Sequence, residues 1–401
     1  MNTPLTSVVV TNVSEFADLH DEWNRLLDKS RSRSICLTWE WLFTWWEVYG
    51  GADIELRILL LRSGKTLIGI APFIIVPTTE FSLMRIRMLR FLGTGEPEWE
   101  EVASEYLDII AADGYEIQVA QCVWSYLQSS NLQWDQIVFN DVMDDSLVIT
   151  QLLKIMNESG IHSRHELIGT RYRIDLPESW SDYLATLDSG TKKRLLYKRR
   201  KLERAGSVEE KLVAEPTEID AAFSELVRLH ALRWVSRGRT GVFVSERFVT
   251  YHKKLIHRLL PIGILNLRLL RLDRVVISAL YNFRCGTADY FYQTGFDVEG
   301  ASKYSPGLVS HSYAIEDAIR AGMKKYDFMK GGTVSYKSEF GCQESPMYDL
   351  YAYPHSGKGY FLYFNATVKD KIRSLKRGTK PPQAAEKNGH KKTTDSHSVD
   401  T

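Results

Sequence analysis

The residues whose types and spacing could do chemistry gather in positions 288–337. Asp327 lies in the alternating run Lys325-Tyr326-Asp327-Phe328-Met329, so a strand would turn its carboxylate away from the face of Tyr326 and Phe328. A carboxylate buried there is expected to have a raised pKa and to serve as a base toward an amine or hydroxyl. Its plainer role is to bind backbone N–H groups of the turn at Gly331-Gly332. Tyr336 and Lys337 follow that turn. A phenol can protonate a leaving thiolate and an ammonium can stabilise an oxyanion or a phosphate, although an ordinary surface lysine is the commoner fate. Base, acid and oxyanion donor are the parts that acyl transfer needs.

An anion site is expected beside them. After the aromatic run Tyr290-Phe291-Tyr292 and a polar loop at 296–304, Ser305 reads as a helix N-cap and Pro306 as the first helical residue. Leu308, Ile315 and Ile319 fall on one face, and Gly322 closes the helix. The free N–H groups and positive dipole end at such a helix start stabilise an anion, for example the pyrophosphate of an acyl-CoA. Lys303 adds a cation, Gly307 lets a ligand approach the backbone, and Ser302 and Ser305 add hydroxyls. The same residues also suit an ordinary capped crossover.

Substrate contacts are assigned more loosely. His230 and Arg233 are one turn apart on a helix over 218–234, placed either to bind an anion or to contact the last carbonyls. Tyr106 and Asp108, at the start of a strand over 106–111, are acceptor-site candidates or strand packing, and Tyr292 joins the substrate-binding set.

The elements that must position these groups come from the rest of the chain. Its 401 residues, 44% hydrophobic and 25% charged, suffice for two cores, and a net charge of +1 excludes a uniformly basic nucleic-acid binder. Cys36, Cys122, Cys285 and Cys342 lie far apart, so neither a disulfide framework nor a metal site is expected. No apolar run approaches the ~20 residues of a membrane helix. The sequence therefore reads as soluble and cytoplasmic, with membrane contact only through a partner.

Strands and helices alternate through 1–177, ending in a short strand at 172–177, and the aromatics Trp39, Trp41, Trp45 and Trp46 form either a core or a sugar-stacking surface. An arm over 178–210 contains Lys192-Lys193-Arg194 and Lys198-Arg199-Arg200-Lys201, which reads as a solvated face or as a surface for a polyanion such as tRNA. A second unit spans 211–365, with a final helix over 359–375, and 376–401 reads as a disordered tail.

The order of Arg233-Trp234, Gly295-Phe296-Asp297, Ser305-Pro306-Gly307, Tyr326-Asp327-Phe328, Tyr336-Lys337 and Phe340-Gly341 resembles the BioF2-like acetyltransferase domain of the GNAT superfamily, found in the CelD/BcsL proteins of cellulose and exopolysaccharide production. The resemblance covers about 16–363 and takes in Trp39-Glu40-Trp41 and the basic arm. That group is similar in turn to the FemABX peptidyltransferases, which use tandem GNAT-like domains and charged tRNA. The resemblance implies an α/β (α+β) fold of two GNAT-like domains, each a mixed, mostly antiparallel sheet flanked by helices, with the donor site in the second. It implies acetyl-CoA or another acyl-CoA as co-substrate, no metal, and a glycan intermediate, nucleotide sugar or small amine as acceptor. By the FemABX likeness, Lys337 stabilises the oxyanion or a donor phosphate. Residues 300–307 do not match the usual GNAT phosphate loop, so aminoacyl-tRNA-dependent transfer and a non-catalytic scaffold in polysaccharide assembly stand as alternatives.

Overall fold

The computed structural model describes residues 5–80, 84–130, 132–331 and 336–378. The turn at Gly332 and the part of the expected tail from 379 onward lie outside the described residues. Strands β1 (Leu5–Val10), β2 (Glu55–Ser63), β3 (Thr66–Glu80), β4 (Met84–Phe91), β5 (Ile110–Ala111), β6 (Gln136–Met143) and β7 (His162–Asp175) belong to the first half. The second half supplies β8 (Val208–Leu212), β9 (Leu265–Leu272), β10 (Val275–Cys285), β11 (Ala288–Phe296), β12 (Lys325–Gly331) and β13 (Gln343–Tyr353). All join one sheet in the order β1-β2-β3-β4-β6-β13-β7-β12-β11-β10-β9-β8, with β5 beside β3.

Two pairings are parallel, β4 with β6 and β11 with β12, and the others are antiparallel. The halves exchange their closing strands: β13, from the end of the second half, lies between β6 and β7, and β7 lies between β12 and β13. A 14-residue β7 replaces the short strand expected at 172–177. Its length lets it reach both halves.

Helices α1 (Val13–Ala17), α2 (His20–Leu27), α3 (Trp39–Tyr49), α4 (Glu116–Leu127) and α5 (Leu153–Glu158) accompany the first half. The second carries α6 (Trp180–Thr186), α7 (Ser189–Glu203), α8 (Ile219–Val235), α9 (Glu246–Leu259), α10 (Pro306–Arg320) and α11 (Gly357–Gly378). One apolar cluster runs through both halves, and Trp41 and Trp45 are buried in it, so the aromatic helix is core. α8 buries Phe223, Leu226 and Leu229, and sits so close to β11 that a Cβ on Gly295 would lie 2.4 Å from the His230 nitrogen. A smaller cluster joins α10, α6 and α7 through Tyr183, Leu195 and Ile315.

α7 is more than a surface arm. Asp188 caps it by accepting from Gly190 N and Thr191 N, and Leu195 and Leu202 are buried. Arg199 pairs with Glu316 at 2.7 Å while lying over the Tyr313 ring. α7 is thereby fixed to α10.

Candidate active site

α10 is positioned by three local features. Pro306 occupies its first turn, no acidic residue stands there, and Gly322, with φ of 74°, ends it. The expected Ser305 cap is absent. Ser305 takes the left-handed conformation with φ of 56°, where its side chain makes no capping bond, so the first N–H groups stay free of a hydroxyl. Ser302 and Lys303 form the short turn before it, and the Lys303 carbonyl accepts from Lys198 Nζ at 3.1 Å. Gly307 stands against Phe296, where a Cβ would be 3.2 Å from the ring.

Beneath that helix start, β11 and β12 part. They pair at Ala288↔Lys325, Asp289↔Tyr326 and Tyr290↔Asp327 and not beyond, and β12 then bulges against β7 between Asp327 and Lys330. Met329, at φ of 58°, makes the bend. Phe291, His311, Phe328 and Phe340 crowd the parting. Lys337 Nζ donates to the Phe328 carbonyl at 2.6 Å and the Lys330 carbonyl at 2.5 Å. Desolvation lowers its pKa while Glu105 and Asp327 oppose that shift. Tyr336, beside His311 at 6.4 Å between ring centroids, is exposed on the same side.

Polar atoms at this end are buried without a partner among the described residues: His311 Nε2, Ser310 Oγ and Arg233 Nε. His311 is held neutral, its pKa pushed down to about 3 by burial and then by Lys337 and Arg233. Orphaned donors beside a helix start suit a polar, anionic ligand, so the residues present fit the phosphates and acyl carbonyl of an activated donor.

Of the two tasks read for Asp327, the bonded carboxylate describes it better than the free base. Fully buried, it accepts from Tyr106 Oη at 3.0 Å, Met329 N at 2.7 Å and Arg171 Nε at 2.7 Å, and Arg171 Nη2 adds a further close contact. Four donors saturate its two oxygens, and the Arg171 guanidinium makes two of those bonds. It positions the seam between halves. The structure does bring Tyr106 to it, with Arg171 lying over the Tyr106 ring at 4.7 Å.

Tyr106 arrives on an irregular segment rather than a strand, because β5 contains only Ile110 and Ala111. Ala103, Tyr106 and Asp141 join Met329 in the left-handed region here, a concentration of backbone strain at the seam. Glu105, missed as a site residue, accepts from Lys330 N at 2.6 Å and is pushed up to about 7 by burial and then by Asp141. A carboxylate set before an irregular stretch flanked by glycines at 93 and 95 was the available signal.

The other candidates separate. Asp108 accepts from Ser32 Oγ, Leu147 N and Val148 N, so it fixes two segments of the first half. His230 is corrected from anion binder to core histidine: its Nε2 accepts from Trp234 Nε1 at 2.8 Å and burial pushes it down to about 4, leaving it uncharged. Arg233 turns instead to the Thr294 carbonyl at 3.3 Å and the Phe296 ring. Tyr292 Oη donates to the Val102 carbonyl at 2.6 Å and contacts His252, joining the halves.

A cavity of about 690 Å³ opens at the opposite ends of β11 and β12, lined among others by Arg31, Arg33, Tyr106, Arg171, Arg173 and Lys325. Among the described residues no cluster of His, Cys, Asp and Glu could hold a metal ion, and no helix is long and apolar enough to cross a membrane.

Comparison with known proteins agrees with this architecture. A family profile described as "Acetyltransferase (GNAT) domain" matches residues 189–338. No curated protein matches the chain. Among solved structures, FemX superposes with a TM-score of 0.57 at 11% identity, covering 86% of this chain and 96% of FemX. The C-terminal domain of a putative lysylphosphatidylglycerol synthetase from Agrobacterium fabrum gives 0.51 at 12% identity, covering 88% and 96%. L-PGS from Bacillus licheniformis gives 0.50 at 10% identity, covering 86% and 95%. The fold is thus one mixed, mostly antiparallel sheet flanked by helices, and residues 189–338 within it resemble a GNAT acetyltransferase domain.

Proposed function

We propose that the protein is an acyltransferase that takes an activated acyl group, from acetyl-CoA or another acyl-CoA, into the parting between β11 and β12. The observation that carries this reading is that parallel pair: it separates after three residues beneath a helix start free of acidic residues, with the Lys337 ammonium at the mouth. Ser302, Lys303, Ser305, Gly307 and Arg233 would hold the donor phosphates. The acceptor amine or hydroxyl attacks the thioester carbon, its proton passing to Glu105, whose pKa near neutrality suits a base. Lys337 stabilises the oxyanion, and the thiolate leaves with a proton from Tyr336. Asp327 holds Tyr106 and Arg171 between this centre and the cavity.

That cavity, lined by Arg31, Arg33, Arg173 and Lys325 together with Asp108, Glu116 and Asp145, is polar and of mixed charge and suits a polar acceptor such as a nucleotide sugar, glycan intermediate or small amine. On the BioF2-like resemblance, our reading is that the reaction serves exopolysaccharide or cellulose production in the cytoplasm.

A second reading, aminoacyl-tRNA-dependent transfer as in the FemABX group, draws on α7. Lys193, Arg200, Lys201 and Arg204 line one groove with the exposed Tyr197, and no ion pair forms there among the described residues. Thermal melting with free CoA, acetyl-CoA and longer acyl-CoAs separates the two. A ligand of the native state raises the midpoint by mass action, so a CoA-dependent rise that Lys303→Glu abolishes supports the first reading. No rise with any CoA, together with salt-sensitive binding of charged tRNA, replaces it with the second. No response to either ligand leaves the non-catalytic scaffold.

A further inference from the structure

His311 stands where the two strands part, and one side of its imidazole is already committed. From α10 its ring centroid lies 4.6 Å from that of Phe291 and 4.9 Å from that of Phe328, the first residues of β11 and β12 beyond their last pair, Tyr290↔Asp327. The residue is 1% exposed. Its Nδ1 faces the Tyr326 hydroxyl at 3.0 Å, and that oxygen accepts from Asn282 Nδ2 at 3.1 Å. A phenol has one proton to give. With its oxygen taking the Asn282 N–H, the Tyr326 O–H donates to His311 Nδ1, which is then the bare nitrogen. A neutral imidazole carries its proton on the other nitrogen, so His311 presents Nε2–H. Burial, then the charges of Lys337 and Arg233, keep the ring neutral.

That N–H is buried and meets no acceptor among the described residues. Phe291, Phe328 and Phe340 wall it with rings, so a hydrogen bond formed there is strong and an unmade one is unfavourable. We infer that His311 Nε2–H is a catalytic donor to the acyl carbonyl oxygen, acting beside Lys337 as that oxygen becomes an oxyanion. The role rests on the acyl-CoA reading proposed above, whereas the tautomer rests on the Tyr326 and Asn282 bonds alone. The imidazole transfers no proton. The acceptor's electron pair forms the new bond to carbon and the carbonyl π pair moves to oxygen, which accepts from Nε2–H until the tetrahedral centre collapses and expels the thiolate. A neutral ring suits this task, because it holds its proton through the step and adds no charge beside Lys337 and Arg233. Tyr326 and Asn282 are positioning residues that fix the tautomer.

The test is long-range proton–nitrogen NMR of the full chain labelled at histidine, alone, with free CoA and with acetyl-CoA. The His311 signal is the one lost in His311→Leu, or in His311→Gln if the first variant does not fold. The Nε2–H form is expected in the free protein, and its resonance should move with acetyl-CoA and stay in place with free CoA, which has no acyl carbonyl. Calorimetry supplies a second readout. His311→Leu, an apolar side chain in an aromatic cage, should bind free CoA as the parent does and acetyl-CoA roughly threefold to tenfold more weakly, the range of one hydrogen bond. A ring that only packs would change both affinities alike. The assignment is overturned if His311 carries its proton on Nδ1, or if acetyl-CoA binds without moving the Nε2–H signal. If neither ligand binds while His311 shows the Nε2–H form, it is the acyl-CoA reading that has failed, and the role at the acyl carbonyl falls with it.

Discussion

The two halves contain the same device and use it differently. In the first, β4 and β6 run parallel through Met88↔Gln136, Leu89↔Ile137 and Arg90↔Val138, just as β11 and β12 do through three residues in the second. Beyond that point Arg90, Glu96, Asn140 and Asp141 of the first half surround a cavity of about 300 Å³ together with Asp349 of β13 and Lys330 of β12, tied by Arg90–Asn140 and Asn140–Asp349 hydrogen bonds and the Lys330–Asp141 ion pair. Its helix α4 begins on Glu116, whereas α10 begins with no acid and with Lys303 and Arg233 nearby. An anion is stabilised at the second helix start and repelled at the first. On the proposed reading one parallel pair is support and the other a site, and residues 92–109 of the first half reach across to bring Glu105 and Tyr106 against Lys330 and Asp327.

The sharpest way to break this arrangement is at its seam. Asp327→Ala leaves Arg171 as a buried charge without its counterion, and a loss of about 3–5 kcal/mol in urea unfolding is expected. The corresponding change at a first-half pair, Glu22→Ala opposite Arg62, involves side chains 26–32% exposed and should cost less than about 1 kcal/mol. Equal costs would remove the distinction between seam and periphery. A second pair of variants tests how tightly each helix rests on its sheet. Gly295→Ala drives a methyl into the backbone of α8, which cannot yield, and should cost about 3 kcal/mol. Gly69→Ala meets the Val119 side chain at 2.8 Å, which can rotate, and should cost about 1 kcal/mol. Melting temperatures of the two variants, measured side by side, decide the order.

Much of the second half was legible because its signals are local. Pro306, Gly322 and the alternation through Lys325–Gly331 fix α10 and β12 without help from distant residues. The errors have a common cause in long-range pairing. Nothing near Asp327 in sequence announces Arg171, which arrives from 156 residues away, so a saturated ion pair read as a free base. His230 and Arg233 share a helix face by spacing, yet Gly241 and Phe243 enclose the imidazole while Arg233 turns to Thr294. Residues 106–109 were read as the start of a strand over 106–111, and the left-handed backbone at Tyr106 has no side-chain signature.

The smallest expected effect again contrasts the halves, through pH. In the first half, burial pushes Glu96 from its ordinary value of 4.5 up to about 7, although Val102 N and Trp45 Nε1 donate to it. The folded state then keeps a proton that the unfolded chain has lost, so this contribution is present below pH 4.5 and disappears as pH rises through about 7. In the second half, His230 falls from 6.5 to about 4, and the folded state refuses a proton that the unfolded chain accepts. Its contribution is present above pH 6.5 and is lost as pH falls through about 4. The two slopes oppose each other, so each is read from the difference between a variant and the parent. Glu96→Gln, which keeps an acceptor for Trp45, should gain stability relative to the parent as pH rises from about 5 to about 8. His230→Gln, which keeps an acceptor for Trp234, should gain as pH falls across the same interval. Urea midpoints against pH for the three proteins check both signs, and curves that stay parallel would show that neither buried group sets the balance between the halves.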